Sequence, residues 1–244
     1  MQASELFNQP NTILLDGGMG TMLQAAGMKL GTRPEDLNIE NPELIRSIHA
    51  KYAAAGSRVV NANTFGASPH KLADSKYTLE EVITAGIANC KQAVAPYGAL
   101  VTLDVGPLGE LLEPSGTLAF EDAVAEYGRI VRAGVAAGAD ILYFETFTDL
   151  YEMKAALLAA KENSTLPIMA SMSFEANGRT FTGCTVESFA ATARGLGANA
   201  VGINCSLGPK EIFPMAKRLA EAVPGDFPVF VKPNAGLPRA DGSG

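Results

Sequence analysis

Short apolar runs that stop on a polar residue recur along the chain. Residues 12–16 stop at Asp16, 58–64 end in the amide- and hydroxyl-rich Asn63 and Thr64, and 99–104 stop at Asp104. Residues 141–145 stop at Glu145, and 200–205 close on Asn204 and Cys205. Two further runs, 167–174 and 227–234, bring the number to seven, the last ending at Asn234. Runs such as 141–144 hold only large apolar residues, which predicts strands covered on both faces. Between the runs, apolar residues fall at helical spacing over about 42–55, 79–94, 120–137, 150–161, 186–195 and 213–222. Asn41 suits the cap of the first of these and Pro42 its first turn. The alternation of strand and helix predicts a parallel sheet with helices outside it.

The polar strand ends are spread over nearly every strand: Asp16, Asn63, Asp104, Glu145, Asn204, Cys205 and Asn234. An open doubly wound sheet gathers such residues at one switch point, whereas a barrel distributes them around its mouth. The predicted fold class is therefore α/β, a TIM (β/α)8 barrel with seven of its eight strands present in the sequence. Residues 1–244 read as one barrel domain, truncated before the last helix, strand and helix. The open seam then leaves two apolar edges through which the chain is expected to self-associate.

Composition narrows the partners. The chain has 244 residues, 47% of them hydrophobic and 18% charged, which suits one domain with a substantial core. A net charge of -7 argues against nucleic acid and anionic membranes as partners. No run reaches membrane-spanning length and no basic leader precedes an apolar stretch, so the expected location is cytoplasmic. The cysteines Cys90, Cys184 and Cys205 are scattered and predict no disulfide framework. With only His49 and His70, a histidine-based metal cluster is unavailable. His49 and Cys90 lie on helical stretches, His49 as a solvated or packed residue and Cys90 as core, and Cys184 has a loop or packing role.

Several positions carry candidate chemistry. Gly17, Gly18 and Gly20 follow Asp16; their N–H groups suit an anion such as a carboxylate, or they form a plain strand-to-helix turn. The stretch matches neither a Walker A loop nor a dinucleotide fingerprint. Asn63 and Thr64 either hydrogen-bond a ligand or satisfy loop backbone. Cys205 is open to three roles: metal ligand, nucleophile or small buried hydrophobe. The Gly- and Pro-punctuated loop over about 105–117 is long enough to be functional. Lys232 is the one strand-end lysine an aldolase or decarboxylase could use, without an obvious Schiff-base pocket around it.

Six motifs then point one way. They are Asp16-Gly17-Gly18-Met19-Gly20-Thr21, Asn63-Thr64-Phe65-Gly66, Gly106-Pro107-Leu108-Gly109-Glu110, Phe144-Glu145-Thr146-Phe147, the segment from Gly202 through Asn204-Cys205 to Pro209, and Pro233-Asn234-Ala235-Gly236. In this order, over almost the whole chain, they resemble the homocysteine S-methyltransferase family, most of all its cobalamin-dependent members. The resemblance implies a (β/α)8 barrel in which zinc binds the sulfur of homocysteine. Three cysteines hold that zinc; Cys205 matches one, and the adjacent pair after Gly-Gly at the end of strand eight has no counterpart in this sequence. It further implies that Asp16 and Glu145 bind the substrate ammonium and that the Gly17 and Gly18 backbone binds its carboxylate. Asn63 joins this substrate-binding set, and Asn204 orients groups near the sulfur. A zinc-bound thiolate would attack a methyl group by in-line displacement and form methionine. Cobalamin enters only as methyl donor, on a separate module or protein. The alternative is a catalytically inactive amino-acid-binding fragment that lacks a complete zinc site.

Overall fold

The computed structural model describes residues 3–29 and 31–236. Its sheet has six parallel strands in chain order: β1 (Val59–Asn61), β2 (Leu100–Val105), β3 (Ile141–Phe147), β4 (Ile168–Met172), β5 (Ala200–Asn204) and β6 (Val229–Lys232). The helices are α1 (Ala3–Leu6), α2 (Met19–Ala25), α3 (Leu37–Glu40), α4 (Pro42–Ala54), α5 (Leu79–Val94), α6 (Phe120–Ala136), α7 (Leu150–Asn163), α8 (Val186–Gly195) and α9 (Pro209–Glu221). One helix from α5 to α9 joins each strand to the next, the unit that a parallel sheet requires. No helix among the described residues is long and apolar enough to cross a membrane.

Among the described residues six strands form where the pattern predicts seven. Residues 12–16 contribute a single bridge, Leu15 to Val59. The segment begins as a strand: Arg58 N donates to Leu14 O at 2.9 Å and Asp16 N to Val59 O at 3.1 Å. The Asp16 carboxylate then accepts the Asn61 N–H at 2.8 Å. A side chain thus takes the donor that the next backbone carbonyl would have used, and the chain turns away at Gly17. The remaining six predicted strands correspond to the six observed; β3 runs longer than its predicted 141–145, β2 is shifted by one residue, and the other four are shorter. Helix α9 starts at Pro209, earlier than the expected 213, because proline after Gly208 fits a first helical turn.

Side chains on a strand alternate between faces. One face, with Val101, Leu103, Leu142, Phe144, Val201 and Ile203, packs against helix residues such as Ile87, Ile130, Leu157 and Phe189 in the main core. The other face carries a second apolar cluster of Val59, Leu100, Ile141, Tyr143, Met169 and Ala200, covered by Leu6 of α1. Phe230 of β6 packs on this cluster, and a Cβ at Gly202 would lie 2.4 Å from its ring. Glycine is therefore required where β5 passes under Phe230. Continued toward the carboxyl ends, the same parity brings Asn61, Thr102, Asp104, Glu145, Ser171, Asn204 and Lys232 onto this face. The inner face is thus apolar at its base and polar at its mouth.

Candidate functional site

Two carboxylates and one ammonium meet at that mouth. Lys232 Nζ lies 3.3 Å from Asp16 Oδ1 and 3.4 Å from Glu145 Oε2. It also sits 5.3 Å from the centroid of the Tyr143 ring, which is held edge-on by Phe230. Asp16 is fixed by the Asn61 N–H, so the bond that ends the first strand segment also aims this carboxylate. Burial pushes the Asp16 carboxyl up to about 6, with the Lys232 charge and the Asn61 N–H pulling against it. Burial works against the Lys232 ammonium, but Glu145, Asp16 and Asp104 together outweigh it and hold the lysine above its ordinary range. Asp104 is buried and its Oδ1 has no hydrogen-bond partner. Burial first, then the Glu145 charge, push its carboxyl well above the usual carboxylate range. Three acidic side chains, Asp16, Asp104 and Glu145, thus share the mouth with one lysine.

Beside this cluster, three residues that are not glycine adopt positive φ: Thr146 at 67°, Cys205 at 58° and Ser206 at 60°. Such conformations cost of order 1 to 3 kcal/mol each and persist where the surroundings impose them. The Asn204 amide holds two of them, Thr146 and Cys205. Its Oδ1 accepts from Thr146 N at 3.0 Å and from Ser171 Oγ at 2.8 Å. Its Nδ2 donates to Thr146 Oγ1 at 2.7 Å and to Cys205 Sγ at 3.2 Å. Cys205 N donates to Lys232 O at 3.1 Å, so the thiol is tied to the strand that carries the lysine. Thr146, next to Glu145, lies 3.6 Å from Cys205 Sγ. Burial raises the Cys205 thiol above its ordinary range, with the Thr146 hydrogen bond pulling against it. The thiol is therefore protonated at neutral pH and is not an activated nucleophile by itself.

The other candidates fall elsewhere. Gly17 and Gly18 form a strand-to-helix turn, with Gly18 capping α2. Tyr52 Oη donates to Gly18 O at 3.0 Å, and a Cβ at Gly17 would lie 2.9 Å from that hydroxyl, so the turn needs glycine. Asn63 spends its amide on Pro34 O (2.8 Å) and Asn38 Oδ1 (2.9 Å). These bonds tie the end of β1 to the segment before α4 and do not reach Asp16 or Glu145. Cys90 is core, and Cys184 is half-buried in its loop with Sγ 3.2 Å from Thr185 O. His70 pairs with Glu110 at 2.8 Å on the surface. Among the described residues no group of three His, Cys, Asp or Glu side chains can hold a metal ion. A catalytic zinc takes three protein ligands. The described residues, with Cys205 as their one strand-end thiol, do not compose the zinc site that the resemblance implies. Thr146 was missed in the sequence, while Asp104 stood among the polar strand ends and Lys232 as a strand-end lysine, neither with a part in the site; counting by twos from the apolar inner-face positions reaches both.

The strand ends of a parallel α/β sheet thus bring together an acid pair, a lysine, a thiol and a fixed amide. The chain belongs to the homocysteine S-methyltransferase family, whose family model matches residues 13–244. It is 30% identical over 241 residues to methionine synthase of Mycobacterium tuberculosis, covering 91% of this chain and 20% of that protein. Against methionine synthase of Mycobacterium leprae it is 29% identical over 242 residues, again 91% of this chain and 20% of the relative. The chain thus spans about one fifth of the length of these curated relatives. Among solved structures, the metallated form of the homocysteine methyltransferase MmuM from Escherichia coli shares the fold with a TM-score of 0.83. The two are 23% identical, over 95% of this chain and 86% of that one.

Proposed function

We propose that this chain is a homocysteine-binding domain that presents the substrate thiol for methylation. Asp16 and Glu145 receive the ammonium, the Gly17 and Gly18 backbone lies along the carboxylate, and Asn204 with Cys205 faces the sulfur. The observation that carries this reading is the convergence of Asp16 and Glu145 on one ammonium, at 3.3 and 3.4 Å. Two carboxylates that grip a lysine in this way can grip the ammonium of an amino acid. The membership of the family supplies the sulfur chemistry, and the methyl group comes from methylcobalamin on a separate module. The described residues contribute one thiol at this mouth, so they bind and orient homocysteine without completing the activation of its sulfur.

That single thiol favours a second reading, in which the chain binds the amino acid and catalyses nothing alone. Calorimetry with homocysteine, followed by a methionine assay with added zinc and methylcobalamin, separates the two. Binding with methionine formation supports the first, binding without it the second, and no binding removes both.

A further inference from the structure

The amino-group seat is already filled by a residue of the chain. Lys232 Nζ bridges the two carboxylates to which the proposed function assigns the substrate ammonium. Both cations cannot occupy the gap, because like charges in a buried site repel strongly. A ligand amine must therefore displace the lysine, and a displaced ammonium left without a counter-ion in this buried mouth is unfavourable. A plain amine brings no counter-ion. An α-amino acid brings one: its ammonium replaces Nζ and its carboxylate meets the cation it has displaced. The turn proposed to lie along that carboxylate, Gly17 and Gly18, directly follows Asp16 in the chain. Lys232 has the means to move, since its flexible stem projects from β6, an edge strand among the described residues. Asp104 lies in the same mouth with a buried, unpartnered oxygen, so that local hydrogen bonding is not complete without a further group.

We infer that Lys232 is a specificity-determining residue: it holds the seat between Asp16 and Glu145 and yields it to zwitterionic α-amino acids in preference to simple amines. This rests on the proposed role of the two carboxylates, and it goes beyond that role by naming what the site rejects.

The test compares homocysteine with its decarboxylated analogue aminopropanethiol, by calorimetry on the full chain. The wild type is expected to favour homocysteine by at least about tenfold. In Lys232→Met the seat stands open to either ligand, and the preference is expected to shrink by about tenfold, chiefly because the amine binds more tightly. Circular dichroism verifies the fold, and Lys232→Gln, which keeps a polar end on the stem, makes the same comparison if the methionine variant does not fold. A preference equal to that of the wild type in the folded variant overturns the inference. Glu145→Gln separates this failure from that of the underlying reading. Weakened homocysteine binding in Glu145→Gln with an unchanged preference in Lys232→Met overturns the lysine's role alone. Homocysteine binding indifferent to Glu145→Gln overturns the seat, and the inference with it.

Discussion

Asp16 serves two ends at once: its carboxylate closes a strand segment by taking the Asn61 N–H, and it faces Lys232 across the mouth of the sheet. Burial lifts its carboxyl from 3.8 to about 6. The folded state thus favours the protonated acid; the stability this gives is complete below 3.8 and is lost as pH rises through about 6. Binding of an ammonium needs the opposite form. Homocysteine affinity is expected to fall roughly tenfold for each pH unit below about 6, and Asp16→Asn to flatten that profile, as calorimetry between pH 5 and 7.5 would show. The groups facing Asp16 are Lys232, Glu145, Asp104 and Tyr52; the lysine and Tyr52 keep their protons throughout this range. Of the site, Asp16, Glu145, Asn204 and Cys205 were legible in the sequence because each ends an apolar run. The pairing of Lys232 was not, because Asp16 lies 216 positions away and the lysine stood out only as one an aldolase or decarboxylase could use. Asn63 reads in the sequence either as a ligand-binding amide or as a loop-satisfying one, and nothing in its own neighbourhood announces the bond to Asn38.

At the scale of elements, spacing alone located α5 and α8 and the cap on α4, since local hydrophobic period decides these. The segment 12–16 misled because a side-chain oxygen, not the backbone pattern, ended its ladder. Helix α4 carries a testable liability. His49 is fully buried, neither ring nitrogen has a hydrogen-bond partner, and burial pushes it down to about 4. The unfolded chain takes up that proton near 6.5 while the folded one resists it. Stability is therefore complete above 6.5, declines as pH falls toward 4, and changes no further below that. The loss amounts to roughly 3 kcal/mol at the low end. His49→Leu is expected to remove most of the difference in thermal midpoint between pH 7.5 and 4.5. A variant that remains as acid-sensitive as the wild type places the liability elsewhere.

For the whole molecule, the βα alternation predicted seven strands, and six of them form one parallel sheet in chain order among the described residues. The spread of polar strand ends pointed to a barrel, and the six parallel strands in chain order agree with part of one; pairing at the sheet margins depends on contacts that no local pattern encodes. Among the described residues β6 pairs on one side only, with β5, and its residues are the least buried of the sheet. An edge of this kind recruits other strands unless it is blunted by charge. Concentration-dependent association is expected in sedimentation velocity, and Val231→Lys is expected to reduce it. Zinc is expected to bind weakly, with Cys205→Ser changing its affinity little, since no three ligands converge among the described residues. Equilibrium dialysis against the metal measures this directly.

The central claim is that two strand-end carboxylates form the seat for an amino-acid ammonium. Titration of homocysteine into the wild-type chain and into Glu145→Gln at pH 7.5 tests it most directly. The affinity should fall by at least about tenfold when one of the two charges is removed. Equal affinities in the two proteins, both folded, contradict it.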